Sequence, residues 1–354
     1  MNCHKKWKNT CAADKSGGKG RVDMKAIALP RKSAEKALRS ILRSGIVDKK
    51  KKITADADYV YVPVLGDPAF RSHRIVDIDP RERQTPEAPI STISRKASEI
   101  GIKEAVLPRR WVRYGDSVII RYEGPEPRRL AEIVAGVLNA KSVYRYSGRI
   151  SGILRVPSLE LLFGKGGSVT HLENGIRYAF DPSKIMFSPG NVGVRGSMRD
   201  LDVKGKKIFD MFSGIGYFSI PLAKYGNPKH IYAAEINPAS YQYLLTNIRK
   251  NKVQNVFTTY NADCSTITLP EKADLIVMGH FNSPAYIQHA VDNLKIGGVI
   301  MMHHLVSSEN LQNSSQVIEK KLQDHGIAYR ISSSRVVKSY SPHHWHVVTE
   351  VMIS

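Results

Sequence analysis

Two glycines and three carboxylates in the second half of this chain have the types and spacing to hold a nucleoside. The run Ile208–Phe218 leads apolar residues into Asp210, turns through Gly214-Ile215-Gly216, and passes into the helix-like Phe218–Ala223. A strand that ends in a glycine turn before a helix lets backbone approach a ligand closely and leaves helix N–H groups to face it. Taken alone, Gly-x-Gly reads better as an ordinary tight turn. Glu235 favours the nucleoside, because it ends the strand-like His230–Ala234 at about the spacing where an acidic residue meets ribose hydroxyls. A third strand, Asn255–Tyr260, ends near Asp263, a carboxylate placed to meet an adenine edge.

The glycine count narrows the ligand. A dinucleotide seats its pyrophosphate on G-x-G-x-x-G, whereas Tyr217, Phe218 and Ser219 follow Gly216 here. S-adenosylmethionine has no phosphate, and the shorter turn suits it. Ala273–Met278 reads as a fourth strand, followed by the loop Gly279–Pro284. Ligands of such sheets lie at the carboxyl ends of the strands, so all four loops meet at one crevice. The pattern predicts an α/β, Rossmann-like, class I S-adenosylmethionine-dependent transferase domain.

The elements that must position this crevice occupy only part of the chain. At 354 residues two or three domains are expected. Residues 1–24 read as a basic disordered tail and 25–78 as a small α/β domain. In the latter, Ala26–Pro30 and Tyr59–Val64 are strand-like, and Ser33 caps a helix through Leu42. Pro80, Pro86 and Pro89 mark 79–97 as a linker. A middle domain follows over 98–180, with a strand at Ser117–Tyr122, a helix at Arg129–Leu138 and two strands at Ser168–His171 and Gly175–Ala179. Gly164–Gly167 lacks the spacing of a phosphate loop and reads as a hairpin or loop tip. The cofactor domain spans 181–354.

Composition points to a polyanionic partner. Lys and Arg number 53 against 32 Asp and Glu, a formal charge of +21, which favours nucleic acid before membrane. Part of the excess lies in Lys5, Lys6, Lys8, Lys15, Lys19, Arg21 and Lys49–Lys52. The rest includes Arg109, Arg110, Arg113, Arg128, Arg129, Arg145, Arg149 and Arg155, interleaved with Trp111, Tyr114, Tyr144 and Tyr146. That mixture suits phosphate contact and base stacking. Three cysteines, Cys3, Cys11 and Cys264, read as free thiols in a reducing compartment. With no apolar span and no signal-peptide core, a cytoplasmic protein without a membrane segment is expected. His303 and His304 follow a buried-looking strand and read as structural. His343, His344 and His346 lack a Cys or carboxylate companion, so no metal is predicted.

Several blocks in order carry a resemblance over nearly the whole chain from Met24. They are Leu107-Pro108 with Trp111 and Gly115-Asp116, Arg155-Val156-Pro157 with Glu160–Gly164, His171 with Glu173, and Phe187–Asn191. Asp210–Phe218, Glu235–Pro238, and Val337–Pro342 with Trp345-His346 complete the set. Together they resemble the archaeal and eukaryotic group of tRNA guanine-37 N1-methyltransferases and wyosine aminocarboxypropyltransferases. The N1-methyltransferases of that group carry an Asn-x-Pro-Pro-like motif after the fourth strand. They also have a glutamate before the arginine that trails the Phe-Ser-Pro block. Here the strand runs into Met278-Gly279-His280-Phe281-Asn282-Ser283-Pro284, and Val194 precedes Arg195. Valine cannot serve as a general base. The Met-Gly-aromatic loop, with Gly297–Ile300 and His303-His304, is more similar to the aminocarboxypropyltransferase branch.

The resemblance implies transfer of the 3-amino-3-carboxypropyl group of S-adenosyl-L-methionine to C7 of 4-demethylwyosine at position 37 of tRNA-Phe, releasing methylthioadenosine. Guanine-37 N1-methylation is the nearest alternative. A non-catalytic tRNA-binding protein, suggested by the departure Val194-Arg195-Gly196-Ser197, is the alternative of another class. The resemblance also implies roles. Ser188 and Arg195 meet the methionyl end, Glu235 the ribose, and Asp263 the adenine, while Asp210, Gly214 and Gly216 shape the cofactor turn. His280, Phe281 and Arg155 are substrate-side candidates, and the N-terminal domains grip the tRNA body. No catalytic base is assigned.

Overall fold

The computed structural model describes residues 24–65, 73–79, 87–148 and 156–354. The chain forms two compact units, one up to Glu87 and one from Ala88 onward. The first contains β1 (Met24–Pro30), α1 (Ala34–Arg43), β2 (Thr54–Ala55), β3 (Tyr59–Pro63) and β4 (Arg74–Ile78). Its antiparallel sheet has the order β2-β3-β1-β4. Ile27 and Leu29 alternate onto one face with Val62, and Ala34 and Ile41 of α1 cover them. Ser33 precedes α1 without a side-chain cap; its hydroxyl donates instead to the Pro30 carbonyl at 3.4 Å.

The second unit begins with a helix. Residues 79–97 were expected to be a linker, but Pro89–Ser98 forms helix α2. Proline is tolerated in a first turn, where its missing N–H has no intrahelical partner to lose. Ile93 and Ala97, four apart on one helix face, are fully buried against Val118, Leu130 and Val134. Residues 80–86 lie outside the described residues. Next come β5 (Trp111–Tyr114), β6 (Ser117–Ile120), α3 (Pro127–Leu138), β7 (Ser142–Tyr146) and β8 (Leu159–Phe163). They form a sheet of order β5-β6-β7-β8, with β6 and β7 parallel across the α3 connection. Gly164 ends β8 at φ +80°, where an added Cβ would lie 2.0 Å from the Lys141 carbonyl oxygen. The following glycines therefore serve backbone geometry, in line with a loop tip.

A separate hairpin follows, β9 (Val169–Glu173) with β10 (Ile176–Phe180). The expected border at 181 runs through a shared core. Tyr178 and Phe180 of the hairpin and Tyr114 and Tyr144 of the preceding sheet pack with Ile215, Ile220 and Leu244. The remaining elements are α4 (Val192–Ser197), β11 (Lys207–Asp210), α5 (Ser219–Tyr225), β12 (His230–Ala234), α6 (Pro238–Lys250), β13 (Phe257–Tyr260), β14 (Ala273–Met278), α7 (Ile287–Asp292), β15 (Leu294–Ser307), α8 (Gln316–Asp324), β16 (Tyr329–Ser341) and β17 (His344–Ile353). They build a seven-stranded sheet of order β13-β12-β11-β14-β15-β17-β16.

Strands β13 to β15 of that order run parallel, and β17 and β16 are antiparallel additions. Phe209, Ile276 and Ile300 fill one face, while their neighbours Ile208, Val277 and Met301 fill the other. That explains the near-continuous apolar runs in the sequence, since a parallel sheet is covered on both sides. From β11 the chain winds outward through β12 and β13, then returns to the other side as β14. The strand order therefore reverses between β11 and β14, and a crevice opens at their carboxyl ends. Because α2 belongs to the core, Ile93→Ala is expected to lower unfolding free energy by about 2–4 kcal/mol in urea titration, whereas a linker residue would leave it unchanged.

Candidate active site

Gly214 and Gly216 shape the floor of the crevice. They have φ of +56° and +93°, a region in which L side chains are strained. A Cβ on Gly214 would fall 2.3 Å from the Tyr217 ring, and one on Gly216 2.4 Å from the Ile220 side chain. The Gly214 amide donates to Glu235 Oε2 at 2.7 Å, and the Asn237 amide donates to Oε1 at 2.7 Å. Ser213 donates through its hydroxyl to the Ala234 carbonyl at 2.7 Å, so the ends of β11 and β12 are laced together. Burial raises the Glu235 carboxyl above its usual range, and the two amides oppose that rise. Each oxygen keeps accepting capacity beyond its one amide.

Asp263 sits after β13 and accepts from the Ser265 amide at 2.9 Å and hydroxyl at 2.8 Å, both on Oδ1. Asp210, expected to help hold the cofactor, is fully enclosed beneath the turn. Neither of its oxygens makes a hydrogen bond of ordinary geometry among the described residues. Burial pushes its carboxyl up to about 7, against the pull of Ser219 and the Phe212 amide.

Arg195 departs furthest from expectation. The resemblance implies that it meets the methionyl end, but the side chain is 3% exposed and already engaged. Nε and Nη2 donate to the two oxygens of Glu173 at 2.6 and 2.9 Å, and Nη2 donates to the Ser188 carbonyl at 2.9 Å. A guanidinium this deep needs a counter-charge. Burial alone would raise the Glu173 carboxyl, yet Arg195 and His171 outweigh it and hold it at about 2. The ring of Phe187 lies 4.3 Å beneath the guanidinium. The Ser188 hydroxyl accepts from Lys338 Nζ at 2.8 Å, a partner 150 residues away. Val194, one position before Arg195, turns the opposite way into an apolar cluster with Met198, Val203 and Ile208.

Across the crevice, the His280 ring stacks on Phe212 at 5.5 Å and its Nδ1 accepts from the Asn282 amide at 3.2 Å. Phe281 packs edge-on against Tyr340 and His346 at 5.0 and 4.9 Å, so it braces the loop. His303 Nδ1 and His346 Nε2 share a hydrogen bond of 2.9 Å. His304 Nε2 meets Thr349 Oγ1 at the same distance. Burial lowers His303 well below the usual histidine range and His304 to about 4, in keeping with neutral structural rings.

Residues 169–332 match the TRM5/TYW2 methyltransferase domain, 98–167 the TYW2 N-terminal domain, and 26–69 the tRNA methyltransferase 5 N-terminal domain. A Pyrococcus horikoshii protein named tRNA(Phe) (4-demethylwyosine(37)-C(7)) aminocarboxypropyltransferase is 35% identical over 253 residues, 70% of this chain and 90% of the relative. The chain belongs to the TRM5/TYW2 family. The solved structure of P. horikoshii TYW2 in complex with MeSAdo superposes with a TM-score of 0.66 at 31% identity, covering 75% of this chain and 98% of that one. Trm5b from Pyrococcus abyssi gives 0.67 at 26% identity, covering 94% and 99%.

Within this TRM5/TYW2 member the basic and aromatic middle residues divide. Arg109, Arg110, Arg128 and Arg129 are exposed. Tyr114 and Tyr144, expected to stack on bases, are buried, with the Tyr114 hydroxyl on the Phe187 carbonyl and the Tyr144 hydroxyl accepting from the Gly167 amide. Arg113 donates to the carbonyls of Gly115, Leu138 and Asn139, and Arg145 pairs with Glu160. Arg149, Arg155, Cys3, Cys11 and the tail before residue 24 lie outside the described residues. Cys264 is buried, and burial pushes its thiol up to about 12. Among the described residues no cluster of His, Cys, Asp and Glu could hold a metal, and no helix is long and apolar enough to cross a membrane.

Sequence reading missed the Glu173–Arg195 pair and the Lys338–Ser188 contact, because each joins residues far apart in the chain. Glu173→Gln is expected to cost about 3 kcal/mol at neutral pH by leaving Arg195 uncompensated. Glu173 is held below its ordinary 4.5, so the pair's contribution is complete above that pH and disappears as pH falls toward about 2. Urea unfolding of both proteins across that window checks the narrowing gap.

Proposed function

We propose that this protein transfers the 3-amino-3-carboxypropyl group of S-adenosylmethionine to C7 of 4-demethylwyosine at position 37 of tRNA-Phe. The observation that carries this reading is 35% identity across 90% of an aminocarboxypropyltransferase, against 26% for Trm5b. The crevice fits the cofactor. Its glycine turn leaves open backbone, and Glu235 is oriented by two amides with Ile236 exposed beside it. The cofactor supplies a sulfonium with electrophilic carbons, and loss of the aminocarboxypropyl arm leaves methylthioadenosine.

The chain's own residues do the binding and orienting. Glu235 accepts from the ribose hydroxyls and Asp263 faces the adenine amino group. Ser188 stands at the methionyl end, and Arg195 acts there through the Ser188 carbonyl that it holds. His280, stacked on Phe212, flanks the incoming base, and Phe281 fixes its loop. Exposed Arg109, Arg110, Arg128 and Arg129 bind tRNA phosphates, and base 37 enters from a single-stranded anticodon loop. Orientation of the electrophilic carbon toward the base accounts for much of the acceleration, so no strong base is required of Val194.

Incubation with S-adenosylmethionine and tRNA-Phe bearing 4-demethylwyosine is expected to add about 101 Da to the nucleoside and release methylthioadenosine. A gain of about 14 Da on unmodified guanine would move the protein to N1-methylation, and tRNA binding without turnover would favour a non-catalytic role. Val194→Glu tests the branch from the other side. Its carboxylate would enter the Met198–Val203–Ile208 cluster, so about 2–3 kcal/mol of stability should be lost with no methylation of guanine gained, as measured by denaturation and nucleoside mass.

A further inference from the structure

Helix α6 presents two asparagines to the hairpin, and they behave as a short strand. Asn247 Oδ1 accepts from the Ala179 amide at 2.6 Å, and its Nδ2 donates to the Ala179 carbonyl at 3.2 Å. One turn on, Asn251 Oδ1 accepts from the Arg177 amide at 3.0 Å and its Nδ2 donates to the Arg177 carbonyl at 2.8 Å. Four residues of helix rise about 6 Å, and two residues of strand rise about 6.6 Å. Spacing of four on α6 therefore matches spacing of two on β10, with the elements antiparallel. The amides satisfy an edge that no strand covers.

The two residues differ in one respect. Asn247 Nδ2 also donates to the Ile215 carbonyl at 3.1 Å, which lies between Gly214 and Gly216. Asn251 spends its remaining capacity on the Asn247 carbonyl of its own helix, at 2.8 Å. Asn247 is completely buried and is surrounded by three segments. They are the glycine turn, the hairpin whose Glu173 holds Arg195, and the helix that follows Glu235. Gly214 and Gly216 have no side chains to fix their peptide planes, so the turn takes its orientation from contacts to its carbonyls and amides.

We infer that Asn247 is a positioning residue for the cofactor turn, and that Asn251 is its structural counterpart without that role. This inference rests on the cofactor reading above. With Asn247 in place, the Ile215 carbonyl is held down into the protein, and the neighbouring Gly214 amide is left aimed at Glu235. Without it, a buried carbonyl loses its donor and the turn loses its register with the carboxylate that meets the ribose. The hairpin and the crevice thus share one amide.

The test compares Asn247→Ala with Asn251→Ala in the full chain, reading thermal melting and S-adenosylmethionine affinity by calorimetry. Both variants should melt lower, since each frees one residue of β10. Only Asn247→Ala should bind S-adenosylmethionine more weakly, by about tenfold for one buried hydrogen bond, with KM raised more than kcat is lowered. If Asn247→Ala does not fold, Asn247→Asp carries the same comparison. It keeps an acceptor for the Ala179 amide and, when ionised, has no N–H for the Ile215 carbonyl. Equal affinities for the two variants, or an unchanged affinity in the Asn247 variants, would overturn the inference. Absence of binding by the wild-type protein would instead overturn the cofactor reading, and this inference with it.

Discussion

A parallel sheet covered on both faces has one place left where side chains can converge on a ligand, its carboxyl edge. Here the reversal between β11 and β14 parts the loops at that edge and leaves a gap. Every group of the crevice is then set by how its loop leaves its strand. Glu235 is fixed because Gly214 and Asn237 donate to separate oxygens, and the turn that supplies Gly214 is bound to the end of β12 through Ser213. Side chains there orient less by their own rotamers than by backbone amides, which do not move without moving the sheet.

Charge is arranged on a second principle. The protein carries a large positive excess, yet Arg195 is paired with Glu173 and offers no open positive site, and Lys338 donates to the Ser188 hydroxyl. The arginines left exposed at 109, 110, 128 and 129 belong to the preceding sheet and its helix. On the reading proposed above, attraction for a polyanion and orientation of a small cofactor fall to different residues.

The parallel strands were legible because burial on both faces turns them into apolar runs, and the reading of Ala273–Met278 agrees with β14 to the residue. Proline misled at Pro89, which begins α2, because composition does not separate a linker from a helix start. Tyr114 and Tyr144 misled because an aromatic beside arginines reads alike whether it faces solvent or core. Asp210 and Arg195 were marked from their places in motifs, but a motif does not disclose whether a side chain is enclosed or already paired. Asn247 left a trace that was open to reading. It falls on the buried stripe Ser240, Leu244, Asn247, Ile248 of α6, and an amide on an apolar stripe must find backbone partners.

The order in which the sheet is built differs from the order in which it is made. β17 lies between β15 and β16, both of which precede it in sequence. A nascent chain on the ribosome therefore exposes the far edge of the fourteen-residue β15, with its backbone N–H and C=O groups unpaired, until β17 is translated. His303 and His304 wait over the same interval for His346 and Thr349. Long bare edges recruit other strands, so slow elongation through β16 lengthens the period in which this protein is vulnerable to aggregation, and a chaperone acting then protects the edge on which β17 must dock.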